Sequence, residues 1–271
     1  MDAQQHLELL NRAFSVKNRF LDMYQSATAG HVGCSLSCAE MLTFIKFHAM
    51  RENDEVILSK GHAAAALYSV LAEAGVISEE QIKTFYKDNT HLAAHPPTNK
   101  IKGIPFATGS LGHGLSLAAG LGLAAKLKQS GKRIFCLTSD GEIDEGSTWE
   151  AALFIAHHQL HNVVWMIDRN RLQGYGRTEQ VLQLEPLDEK IRAFGFQVVV
   201  CNGHDFNAME AALKMADSRP LAIICETRKG RSWAAYEDRL DSHYLPMKEH
   251  FEQIKSAVQA QYMKDKEALQ S

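Results

Sequence analysis

Four short apolar runs, at residues 133–138, 162–168, 195–201 and 220–226, alternate with helical periodicity near 145–157, 186–194 and 206–216. This alternation leaves little choice of architecture. Parallel strands need a long crossover, a helix is the usual one, and helices on both faces bury the sheet. The expected fold class is α/β, a parallel sheet with helices on both faces. In such a sheet ligands bind outside the carboxyl ends of the strands. Two of these ends carry oxygen ligands: residues 134–137 run into Asp140-Gly141, and residues 163–167 run into Asp168-Arg169-Asn170. Mg²⁺ wants octahedral oxygen ligands and usually shares them with phosphate. One carboxylate, one amide oxygen and a diphosphate suit it, so the unit reads as a metal–diphosphate anchor. Taken alone, the pair fits equally well a turn at Asp140-Gly141 and an unrelated loop at Asn170.

The first half is more helical. Residues 3–26 form one amphipathic pattern with Leu7, Leu10, Phe14, Val16, Phe20, Leu21 and Tyr24 apolar. A Gly/Cys/Ser-rich loop follows, and Ser37 with Glu40 predicts a capping box opening a helix to about Met50. Residues 55–59 read as a strand, 60–75 as a helix ending on Gly75, and Ser78-Glu79-Glu80 as the start of a short helix. Residues 90–113 form a long irregular segment with Pro96, Pro97 and Pro105; such loops are usually functional or mobile. Residues 114–129 and 244–268 read as helices. With no repeat or linker, 1–271 is expected to be a single domain.

Composition excludes several classes. The net charge of −3 offers no basic field for nucleic acid. No run approaches the roughly eighteen apolar residues of a membrane span, and the start lacks a signal-peptide core. Cys34, Cys38, Cys136, Cys201 and Cys225 have no CxxC spacing, which points to reduced thiols and a cytoplasmic location. Cys34 and Cys38 would share a helix face, but two thiols make a poor zinc site.

Two further features bear on chemistry. Gly109-Ser110-Leu111-Gly112-His113-Gly114 precedes a helix carrying Gly120 and Gly122, without the strand that a dinucleotide fingerprint needs. Such a run can expose amides to an anion or simply pack a helix close to its neighbour. Of 13 histidines, His31, His62, His95 and His243 sit at loops or loop edges. There imidazole can donate to hydroxyls or shuttle a proton near neutral pH, although any one of them could be a solvated loop residue. His157, His158 and His161 read as surface or helix-end residues; neither His157/His161 nor His91/His95 has the glutamate of a zinc HExxH motif.

Taken together, these motifs resemble the thiamine-diphosphate-binding half of transketolase. Residues 30–33 match its Gly-His-x-Gly loop, Gly61-His62 its Gly-His after a strand, and His95-Pro96 its His-Pro. Residues 109–114 match its Gly-Pro-Leu-Gly-Gln-Gly loop. Asp140-Gly141 with Asn170 matches its Gly-Asp-Gly and distant Asn, and Lys229-Gly230 with His243 its late Lys-Gly and histidine. The order is kept over nearly the whole chain.

The resemblance implies a thiamine diphosphate domain. Mg²⁺ (or Ca²⁺) would be held by Asp140, Asn170 and the carbonyl of Leu172. Gly141 would let a diphosphate oxygen approach. Gly109, Ser110 and Leu111 would line the cofactor near its pyrimidine. His62 and His243 would reach the cofactor and the donor carbonyl, and His31 and His95 the sugar hydroxyls. Glu145 matches a glutamate at the family's subunit interface. The chain departs from the pattern at Ser139 (for Gly), Ser110 (for Pro) and His113 (for Gln).

Full-length transketolases continue into a pyrimidine-binding domain that supplies the glutamate activating the cofactor. The resemblance therefore implies the amino-terminal subunit of a two-chain transketolase. It would move a two-carbon ketol unit from a ketose, phosphorylated or sulfonated, to an aldose. Activity would need a separately encoded carboxy-terminal subunit, with two copies of each chain. The alternatives are the alpha subunit of a 2-oxo-acid dehydrogenase, a nicotinamide-binding reductase using the 109–122 glycines, and a non-catalytic scaffold subunit.

Overall fold

The computed structural model describes residues 1–246 and 249–270. Helix α1 (Ala3–Ala27) opens on a reciprocal capping box between Asp2 and Gln5 and closes at Thr28 in the left-handed region. The two-residue strand β1 (Ala29–Gly30) leads into α2 (Val32–Phe44), which runs on through a π-helical turn, Ile45–Ala49. Then come β2 (Glu55–Leu58), a 3₁₀ turn at Gly61–Ala63, α3 (Ala64–Glu73) and α4 (Glu79–Ile82). After the irregular segment come α5 (Gly114–Leu127), β3 (Ile134–Ser139), a 3₁₀ turn at Gly141–Asp144, α6 (Gly146–His157) and β4 (Val163–Arg169). The chain continues with α7 (Thr178–Val181), α8 (Leu187–Ala193), β5 (Gln197–Asn202), α9 (Phe206–Lys214) and β6 (Leu221–Glu226). It closes with β7 (Leu245–Pro246) and α10 (Phe251–Gln270).

Five strands form the parallel sheet β2-β3-β4-β6-β5. Successive side chains of a strand point to opposite faces, and the core divides accordingly. Phe135, Leu137, Val164, Met166 and Ile223 pack with α1, α2, α3, α9 and α10. Ile134, Cys136, Val163, Trp165 and Ile224 pack with α5, α6 and α8 on the other face. This double burial explains why the strands read as continuous apolar runs rather than alternating ones. No helix among the described residues is long and apolar enough to cross a membrane.

Two boundaries differ from the sequence expectation. Helix α2 starts at Val32, so Ser37 lies inside it and caps nothing: its hydroxyl donates to the Cys34 carbonyl at 3.0 Å and to Asp168 at 2.6 Å. Glu40 is buried, paired with Lys17 and His204 instead of capping. The whole segment is buried, and a buried backbone must find internal hydrogen bonds, which helix formation supplies. The last helix begins at Phe251 instead of residue 244; residues 247–248 of that expectation lie outside the described residues. Before them β7 pairs with β1, Gly30 opposite Leu245, and this clasp joins the two ends of the chain.

Candidate active site

The carboxyl ends of β3 and β4 are neighbours, because Ser139 pairs with Asp168 in the sheet and the Asp140 N–H donates to the Asp168 carbonyl at 3.1 Å. Asp140 and Asn170 are thereby brought together, both buried. One Asp140 oxygen accepts from the Gly141 N–H (2.8 Å). The other accepts from the Arg171 N–H (2.5 Å), the Arg169 guanidinium (3.1 Å) and the Thr178 hydroxyl (3.3 Å). Burial, with Asp168 nearby, raises the Asp140 pKa above the ordinary carboxylate value, and Arg169 opposes this. Asn170 Oδ1 accepts from the Leu172 N–H at 3.1 Å, and the Leu172 carbonyl accepts from Lys229 at 2.7 Å. The donor set is thus a carboxylate, an amide oxygen and a carbonyl oxygen, and one member already accepts from a cationic side chain. Its chemistry fits a hard divalent cation.

A cavity of about 430 Å³ opens above these strand ends. Asp140, Gly141, Asn170 and Leu172 line it, as do Gly109, Leu111, His31, His62, His95 and His243. The four imidazoles come from four separate segments. His31 is the hub: its ring centroid lies 5.5 Å from that of His62, 6.3 Å from His95 and 5.4 Å from His243. The β1–β7 clasp sets the His31–His243 contact, and it needs Gly33, where a Cβ would fall 2.4 Å from the Ser242 carbonyl. His95 is held by the irregular segment, pinned where the Tyr68 hydroxyl donates to the carbonyls of Ala93 and His95, both at 3.1 Å.

Burial drives the His31 pKa down to about 4, with His62, His243 and His95 adding to the fall. Burial also lowers His62 and His95. These rings are neutral at pH 7 and can each donate and accept. The Lys229 ammonium lies 2.7 Å from His243 Nδ1; an ammonium only donates, so Nδ1 accepts and Nε2 carries the proton. Cys34 Sγ lies 3.7 Å from the same Nδ1.

The glycine run divides between the two roles open to it. Gly109 and Leu111 line the cavity, whereas Ser110 is exposed and lies outside its lining. The Gly112 N–H donates to Glu142 (2.8 Å) and the Gly114 N–H to the Ser59 hydroxyl (3.0 Å), which itself donates to Glu142. The amides at the start of α5 therefore satisfy a buried glutamate, and Gly122 packs its α-carbon against Val163. Glu145 is exposed at the start of α6, Ser139 lines the cavity, and His113 is exposed.

Sequence reasoning missed the charged groups beneath the site. Lys60 and Asp168 are fully buried and paired with each other. Burial disfavours the Asp168 carboxylate, but Lys60 and the Ser37 and Thr227 hydroxyls outweigh it and hold the pKa below the ordinary value. A charged residue closing the apolar run VVWMID, and a lysine beside Gly61-His62, were the available signals.

The family model for the transketolase thiamine diphosphate binding domain matches residues 12–268. The chain belongs to the transketolase family. It is 37% identical over 249 residues to one subunit of an apulose-4-phosphate transketolase from Actinobacillus succinogenes, covering 88% of this chain and 90% of that one. It is 35% identical over 268 residues to a 6-deoxy-6-sulfo-D-fructose transketolase subunit from a Clostridium species, covering 94% and 97%. The crystal structure of transketolase from Campylobacter jejuni superposes with a TM-score of 0.83 at 28% identity, over 96% of this chain but 43% of that one. The chain thus spans less than half of that solved transketolase. The fold is that of the family's thiamine diphosphate domain. These matches favour neither a 2-oxo-acid dehydrogenase subunit nor a nicotinamide-binding reductase.

Proposed function

We propose that the chain is the amino-terminal subunit of a two-chain transketolase that moves a two-carbon ketol unit from a phosphorylated or sulfonated ketose to an aldose. The observation that carries this reading is one cavity holding an oxygen-donor corner (Asp140, Asn170 and the Leu172 carbonyl) beneath four neutral or hydrogen-bonding imidazoles. Asp140, Asn170 and Leu172 would hold Mg²⁺ (or Ca²⁺), with the diphosphate of thiamine diphosphate beside Gly141. The cofactor supplies the nucleophilic carbon and the electron sink for breaking and remaking the ketose C–C bond. Gly109 and Leu111, with Ser110 beside them, would border its ring system.

His243, its proton fixed on Nε2 by Lys229, would donate to the donor carbonyl oxygen as charge develops there, with His62 beside it. His31 and His95, neutral at pH 7, would accept from and donate to sugar hydroxyls. Depressed pKa values suit this role, because a neutral ring moves a proton in either direction without carrying a buried charge.

Two relatives that the chain covers almost end to end are named as transketolase subunits. This supports dependence on a separate carboxy-terminal subunit, in a complex with two copies of each chain. We further read residues 1–271 as one domain of a cytoplasmic enzyme that binds neither nucleic acid nor membrane. The test titrates the isolated chain with thiamine diphosphate and Mg²⁺, then assays ketol transfer with and without the carboxy-terminal subunit. Metal-dependent cofactor binding, with turnover only in the mixture, is expected. Full turnover by the chain alone refutes the two-chain reading, and no cofactor binding in the mixture refutes the anchor.

A further inference from the structure

A second cleft, of about 630 Å³, lies at the carboxyl ends of β4, β5 and β6. Arg171, Arg177, Arg228 and Arg231 line it, together with Glu226 and Asp238. Arg171 pairs with Glu226 at 3.1 Å, Arg177 with Asp238 at 2.9 Å, and Arg228 with Glu237 at 2.9 Å. The Arg231 side chain makes no hydrogen bond or ion pair among the described residues. On the cleft wall itself four guanidiniums face two carboxylates, Glu226 and Asp238; Glu237 and Glu179 (3.9 Å from Arg171) pair with Arg228 and Arg171 from outside its lining. The paired arginines are substantially exposed, and exposed pairs hold each other weakly, so a stronger anion can take them over. Guanidinium matches a phosphate group with parallel hydrogen bonds and does so better than any other side chain. The cleft's volume suits a molecule the size of a small phosphorylated metabolite.

Its architecture is pre-set. His204 Nδ1 lies 3.2 Å from Glu40, and its Nε2 accepts from the Arg228 N–H at 3.0 Å. This contact anchors the backbone that carries Arg228 and Arg231. Asn170 lines both this cleft and the histidine cavity, so the two sites share a wall.

We propose that this cleft binds a small phosphate monoester, at a site separate from the metal–diphosphate corner. Arg231 and Arg228 grip the phosphate, and Arg171 and Arg177 exchange their carboxylate partners for it. Asp238 is its competitor on the cleft wall.

The test is calorimetric titration of the full chain, saturated with thiamine diphosphate and Mg²⁺, using glycerol 3-phosphate and inorganic phosphate as probes. Prior saturation is checked in its own titration, so failure of the anchor shows there and not as failure of this cleft. One saturable site per chain is expected, weakened about tenfold or more by Arg228→Gln/Arg231→Gln. Asp238→Asn, which removes a competing carboxylate and only an exposed ion pair, is expected to tighten binding several-fold. Arg171 is left intact because its backbone holds Asp140. Unchanged circular dichroism and melting temperature show that the variants fold. Three results overturn the proposal: no saturable binding, affinity indifferent to these substitutions, or binding of the probes only when thiamine diphosphate is left out.

Discussion

Replacing Lys60 with methionine removes one charge from a pair that has no access to water. Both side chains are fully buried, and Lys60 also donates to the Cys34 carbonyl at 3.1 Å. Methionine keeps an unbranched apolar stem of similar length, so most packing survives. Asp168 keeps its hydrogen bonds from Ser37 and Thr227 but loses its counter-charge. Removing one partner of a buried pair costs about 3–5 kcal/mol, a large fraction of a domain's total stability.

The cost carries a pH signature. In the native chain the Asp168 pKa lies below its unfolded value of 3.8, so its contribution is present above that value and lost as pH falls through the folded pKa. Without Lys60, burial raises the pKa above the unfolded value. The stability associated with the protonated acid is then present at low pH and lost as pH rises. The difference between native and variant chains therefore grows as pH rises from about 4 to 8, because only the variant loses stability over that range. Urea unfolding of both chains at pH 5 and pH 8 measures it, and histidine effects common to both cancel. Lys60→Met/Asp168→Asn removes the unpaired charge, keeps an amide oxygen for one hydroxyl and offers an N–H to the other, which can accept it, and is expected to recover more than half of the loss. A cost below about 1 kcal/mol at pH 8, or one that does not change with pH, refutes the reasoning.

Asp140→Ala is expected to lower affinity for Mg²⁺ with thiamine diphosphate by about 100-fold, measured by calorimetry on a variant whose circular dichroism is unchanged. Acidification destabilises the native chain between about pH 6.5 and 4: the folded His31 pKa of about 4 is below its unfolded 6.5, so the unfolded state takes up the proton first. The His31 shift corresponds to at most about 3 kcal/mol, and His31→Asn flattens that part of the stability–pH curve measured in urea. Gly112→Ala is expected to cost at least about 1–3 kcal/mol in the same assay. Gly112 has φ of +82°, and an added Cβ would lie 2.5 Å from Ser147 Oγ and 2.6 Å from Glu145 Cβ. Lys229→Met releases the His243 proton from Nε2 and is expected to lower kcat of the assembled complex more than cofactor affinity, about 10-fold or more.

The parallel sheet, the oxygen donors at two strand ends and the four loop histidines were legible from residue order alone. Apolar period and turn chemistry are local, so a single sequence displays them. Helix α2 was misplaced because its first turns, Val32 to Ser37, carry Gly, Cys and Ser that look like a loop until burial obliges their backbone to hydrogen-bond internally. The glycine run was ambiguous for a related reason. Whether an amide faces a ligand or a buried carboxylate depends on Glu142, thirty residues further along from Gly112.

By itself the sequence determined the fold class and which residue types meet at the strand ends, because side-chain periodicity and strand–helix alternation act over a few residues. Only the tertiary structure decided which charges pair. Lys60 and Asp168 stand 108 residues apart, and Lys229 and His243 face each other across a loop. Those contacts set protonation states and fix the tautomer of His243, since burial and partner charge are properties of the packed chain and of no segment in it.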